Sequence, residues 1–347
     1  MSFEISAFQW NLLIAGVALV VLVLLYNIWS TRRSQPRQAQ MQPLVEPAME
    51  PALEPSLEAE SPEVDFAHLP QPERKPQLDA LIDVIVTVDI DQVVSGDAAL
   101  AALPATRRVG TKPFTVEGMV EEGSDWEPLS PGRRYRIFQA GVQLANRVGP
   151  LNEIEFSEFI VKTQAFADAV GGTLQVVDML QEVARARELD QFASAHDAQL
   201  SFTLCARTAA WSPGYVQQHA ARLGFVAGVV PGRMVLPAHV QGLPPVLSLT
   251  FDSAAALADD PDLSAIREVM ISLDVAQVQR EEQAFDKLRQ AAQWLAEEMD
   301  GVVTDGGGVA LTESALDQIQ IELNGLYDEL DQRELSAGSL QARRLFS

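Results

Sequence analysis

The sequence predicts an N-terminal single transmembrane helix, a disordered linker, and then an α+β fold: a split β-α-β antiparallel sheet with helices on one face, duplicated in tandem. Three observations predict it. An uncharged apolar run stands near the start, a proline-spaced acidic stretch follows it, and strand-like alternation broken by helical periods then passes twice along the remaining chain.

The run Asn11 to Ile28, NLLIAGVALVVLVLLYNI, is long enough for a helix to cross about 30 Å of hydrocarbon. It carries Gly16, Leu19 and Leu22 in its apolar body. Trp10 stands at one end and Tyr26 with Trp29 at the other, where amphipathic aromatics favour the headgroup layer. Glu4 is the one charge before the run, whereas Arg32, Arg33 and Arg37 follow it, so the basic flank places the C-terminal portion in the cytoplasm and residues 1–10 outside. A cleaved signal peptide would want a basic segment first and a small-residue cleavage site, and neither is present. The linker, 30–78, contains nine of the 20 prolines, and its recurring Glu-Pro units repel one another, so it reads as an extended tether.

From Asp79 the chain turns globular. The first pass, 79–197, reads as a strand at LIDVIVTVDI, a short helix opening at Ser95, strands at FTVEGMV and RYRIFQAGVQLANR, a helix at EFSEFIVKTQAFADAVGG, a strand at TLQVVD and a closing helix. The second pass, 198–335, runs LSFTLCART, the helix SPGYVQQHAARLG, strands at FVAGVV, RMVLPA, VLSLTFD and EVMISLDVAQV, the helix REEQAFDKLRQAAQWLAEEMDG, the strand VVTD and a closing helix. Residues 336–347 read as a disordered tail. The helix-to-strand joints resemble each other, with Ala167 matching Ala296, Asp168 matching Glu297 and Gly172 matching Gly301. The pattern is therefore a duplication, with the first copy trimmed by the strand corresponding to EVMISLDVAQV.

Composition narrows the function. A formal net charge of −23 repels nucleic acid and anionic lipid alike, so no nucleic-acid partner is expected. Cys205 is the one cysteine, which rules out an intramolecular disulfide. The four histidines lack metal-ligand spacing, and no GxSxG, HExxH, P-loop or CxxC motif occurs, so no catalytic residue, metal or cofactor is expected.

An N-terminal span, a Pro/Gln/Glu-rich spacer and a terminal split β-α-β domain together resemble the ZipA family of bacterial division proteins. The likeness is closest around Arg222-Leu-Gly-Phe-Val-Ala-Gly228, Gly242-Leu-Pro-Pro-Val-Leu-Ser-Leu, and Phe285 through Gly301 before VVTD. It implies a non-enzymatic anchor that holds FtsZ at the cytoplasmic face of the inner membrane, at the division site. The implied partner is the FtsZ C-terminal tail, and the implied surface is the sheet face away from the helices. A membrane-anchored adaptor for a different cytoplasmic protein is the alternative. Self-association stays open.

Alternation assigns that face. Leu200, Phe202, Leu204 and Ala206 point to the helices, as do Leu247, Leu249 and Phe251, and Val269, Ile271, Leu273 and Val275. The partner-binding candidates on the other side are Thr203, Cys205, Val230, Met234, Thr250, Met270 and Ser272, a mostly polar set. The first pass offers a rival surface through Ile85, Thr87, Gln143 and Ala145, and alternation alone does not say which of its faces is out.

Overall fold

The computed structural model describes residues 36–39, 78–258, 260 and 263–347. The expected span at 11–29, with Trp10, Gly16, Leu19, Leu22, Tyr26 and Trp29, lies outside the described residues, as do Arg32, Arg33 and most of the 30–78 linker. Among the described residues, no helix is long and apolar enough to cross a membrane. The chain divides between Asp197 and Ala198 into two compact units: the first joins 78–197 to 330–347, and the second joins 198–329 to 36–39.

The first unit contains β1 (Asp83–Ser95), α1 (Gly96–Ala102), β2 (Arg108–Val109), β3 (Lys112–Val120), β4 (Trp126–Pro128), β5 (Arg134–Gln143), β6 (Ala145–Asn146), β7 (Gly149–Pro150), α2 (Glu153–Val170), β8 (Gly172–Leu174) and α3 (Met179–His196). Its antiparallel sheet runs β2-β3-β5-β1-β8, with β4 added to β3. Residues directly opposite in an antiparallel pair share a face. Val84, Val86 and Val88 oppose Val142, Ala140 and Phe138, and this buried face receives α2, with Phe138 5.3 Å from Phe166 and Phe114 6.0 Å from Phe159. Helix α2 starts where Asn152 and Glu155 form a capping box, satisfying backbone donors that the first turn leaves orphaned.

The second unit contains β9 (Gln199–Ala206), α4 (Pro213–Arg222), β10 (Val226–Ala227), β11 (Arg233–Leu236), β12 (Leu247–Thr250), α5 (Ser253–Ala256), β13 (Glu268–Asp274), α6 (Ala284–Met299), β14 (Gly301–Thr304) and α7 (Glu313–Gln332). Its sheet order is β10-β11-β12-β13-β9-β14. In each unit the opening strand lies between one long partner and the short strand that follows the main helix, so β5 stands beside β1 as β13 stands beside β9. The first unit, expected to lack a strand corresponding to EVMISLDVAQV, therefore has one in that place. The joints repeat in geometry as well: α2 ends on Gly171 at φ 69° and α6 on Asp300 at φ 56°, both left-handed and both followed at once by a strand.

Several elements are shorter than expected. The second unit's main helix begins at Ala284, because Arg280–Glu282 forms a 3-10 turn and Gln283 adopts φ 49°. The strand expected through VAQV ends at Asp274, and Val275–Gln277 is 3-10. The expected TLQVVD strand keeps only Gly172–Leu174, and FVAGVV only Val226–Ala227.

The expected disordered tail is a correction. Residues Leu340–Leu345 form α8, capped by Ser339, with Ala342, Leu345 and Phe346 buried in the first unit. The Arg344 guanidinium reaches the fully buried Asp83 carboxylate at 2.6 and 2.9 Å. So few apolar residues in a polar terminus read as solvated, and their partner lies 261 residues away.

Candidate functional site

The sheet of the second unit has one filled face and one exposed face, and register sorts its residues between them. Met234, Leu249, Ile271 and Phe202 form a continuous row across β11, β12, β13 and β9, and all four are buried. The neighbouring rows point the other way: Arg233, Thr250, Met270 and Thr203 in one, and Val235, Ser248, Ser272 and Ser201 in the next. Over these two rows lies a cavity of about 560 Å³, lined among others by Ser201, Arg233, Pro245, Ser248, Met270 and Ser272.

The expected binding residues divide accordingly. Thr203, Thr250, Met270 and Ser272 share the exposed face, and Met270, 42% exposed, is its main apolar side chain. Cys205 is on the same side of β9, half-buried opposite Val302, with its sulfur 3.7 Å from Thr304 Oγ1. Val230 is exposed in the turn between β10 and β11, outside any strand. Met234 is a correction: it is 4% exposed because the β11–β12 register sets it opposite Leu249, on the helix side.

Arg233 is the residue that sequence reading missed. It precedes Met234, so alternation in Arg233-Met-Val-Leu236 puts arginine and methionine on opposite faces. Once Met234 is core, Arg233 is out. Its position is fixed by the preceding turn, where Gly232 adopts φ 77° and a Cβ there would meet Phe251 O at 2.7 Å. The guanidinium is exposed and donates to Ser248 Oγ at 3.1 Å.

Behind the sheet, charge serves the fold. Burial of Glu282 works against its ionisation, but donation from Lys287 at 2.6 Å and from the His239 main chain at 3.1 Å outweighs it and lowers the carboxyl to about 2. Asp300 is lowered by the Thr208 hydroxyl and then by Arg37. Arg37, expected beside the membrane, is bound here: its amide donates to Ala210 O at 2.7 Å, its carbonyl accepts from Ser212 at 2.9 Å, and its guanidinium meets Asp300 at 2.9 Å.

The first unit treats the corresponding face differently. Ile85, Thr87 and Gln143 lie opposite the helix-facing valines, yet Gln143 is buried and donates to the Arg344 carbonyl at 2.7 Å. Ala145 is also buried, in the separate β6–β7 hairpin. Leu78 occupies the space that a side chain on Gly141 would fill, and its amide donates to the buried Glu117 at 3.1 Å. That face carries the chain's own residues.

Among the described residues, no group of His, Cys, Asp and Glu is placed to hold a metal ion. The second unit is thus an antiparallel sheet with helices on one side and a shallow exposed cavity on the other. Residues 258–322, from the approach to β13 into α7, match the family model described as ZipA, C-terminal FtsZ-binding domain. No curated protein sequence matches the chain. Among solved structures, the berberine bridge enzyme from Eschscholzia californica is 12% identical, covering 76% of this chain and 54% of its own, at a TM-score of 0.16, which is too low to carry an argument. The chain thus spans about half of that enzyme's length.

Proposed function

We propose that this chain is a non-catalytic cell-division protein that captures the FtsZ C-terminal tail on the exposed sheet face of its second unit and stabilises the Z ring. Residues 11–29 hold it in the bacterial inner membrane, with both units cytoplasmic. The observation that carries the reading is the family match over 258–322, which includes β13 and therefore Met270 and Ser272. Met270 offers apolar contact, while Thr203, Thr250 and Ser272 offer hydrogen bonds to an incoming main chain. Each contact is modest, but many membrane-held copies facing many tails on one filament supply avidity without a tight single site.

The adaptor reading, with another cytoplasmic protein as partner, is favoured by one observation: three serines and two threonines dominate the exposed rows. Co-sedimentation of the full chain in lipid vesicles with FtsZ filaments separates the two. Recovery that requires the FtsZ tail supports the first reading, and equal recovery of tail-less FtsZ contradicts it.

A further inference from the structure

The cavity over Met270 does not end at the sheet. A second hollow of about 380 Å³, lined by Val229, Val230, Leu243 and Pro245, opens beside it past the β10 edge, and the two share Arg233 and Pro245 on their walls. The hollow is apolar and solvent-facing. Val229 is fully exposed, Val230 is 54% exposed and Val226 on β10 is 50% exposed, in a chain whose net charge is −23. Three exposed valines along one short stretch form a patch rather than scattered surface residues. Arg233 stands between the two hollows with its guanidinium on a neutral serine.

We infer that the two hollows form one groove, and that it reads an extended peptide in which an acidic residue is flanked on both sides by apolar ones. One apolar side chain lies on Met270, the carboxylate pairs with Arg233, and the other apolar side chain enters the hollow of Val230 and Leu243. This deepens the proposed function and rests on it. A planar guanidinium matches a carboxylate through two parallel N–H donors, so Arg233 sets which peptides fit and in which register. Arg233 is the one cation on the walls of the two hollows, whose other charged lining residue is Asp274, so a peptide carboxylate in the groove pairs with Arg233.

The test uses the full chain in detergent micelles and fluorescence anisotropy of a labelled FtsZ C-terminal tail peptide. Arg233→Glu and Val230→Asp, both at exposed positions, each weaken binding about tenfold or more, Arg233→Lys less so. A peptide whose acidic residues are replaced by their amides loses affinity for the wild type and loses nothing further against Arg233→Glu. If Met270→Asp abolishes binding while Arg233→Glu and Val230→Asp leave it unchanged, the extended groove is overturned and the sheet-face reading survives. If the wild type does not bind the peptide at all, both fall.

Discussion

Met234 and Met270 show what one position of register decides. Both were expected on the binding face, and both sit in strands of the same sheet. The β11–β12 pairing sends Met234 to the core beside Leu249 and leaves Met270 in the exposed groove. Replacing them should separate fold from function. Met234→Ala removes buried methylenes and costs about 2–4 kcal/mol of stability, read by denaturant melts. Met270→Ala changes stability little and weakens tail-peptide binding severalfold. Glu282 gives a residue-scale test of pH. Its carboxyl is lowered to about 2 from an ordinary 4.5, so the stabilisation it brings is complete above about 4.5 and is lost as pH falls toward 2. Glu282→Gln should cost about 2 kcal/mol at neutral pH and much less near pH 2, in thermal melts of the two proteins side by side.

The elements follow each other as the sequence alternation implies, and both main helices end on a left-handed residue, Gly171 or Asp300, that a strand follows at once. What alternation could not supply was pairing. The closeness of β5 to the expected place of β13, the burial of Met234 and the 3-10 turns at Val275–Gln277 and Arg280–Glu282 all depend on contacts made far along the chain. The short segment at 36–39 is the clearest case. A single arginine in a proline-rich stretch reads as a membrane flank, and only Trp211, Ser212 and Asp300 reveal it as a strap on the second unit. Arg37→Ala, removing a half-exposed ion pair, should cost under about 1 kcal/mol. Its larger effect should be faster proteolytic cleavage at 36–39, with Asp300→Asn giving the same acceleration.

At the scale of the whole molecule, the two units treat the exposed faces of their sheets differently. The first unit closes its exposed sheet face with Leu78 and its end with the C-terminal helix, while no described residue fills the groove of the second. Burial pushes the Asp83 carboxyl up, and Arg344 opposes that shift. Arg344→Ala should cost about 3 kcal/mol at neutral pH by stranding the carboxylate. A carboxyl raised in the folded state costs stability as pH rises through its titration, so the deficit of this variant should shrink on acidification toward pH 4. Deleting 336–347 should lower the stability of the first unit and leave tail-peptide affinity unchanged. If the exposed face of the second sheet is the site of capture, the methionine methyls report on it directly. In a methionine-methyl NMR titration of the full chain with the FtsZ tail peptide, the Met270 signal should move to saturation while the buried Met234 and Met299 stay still. Saturable peptide binding with Met270 unmoved would contradict it.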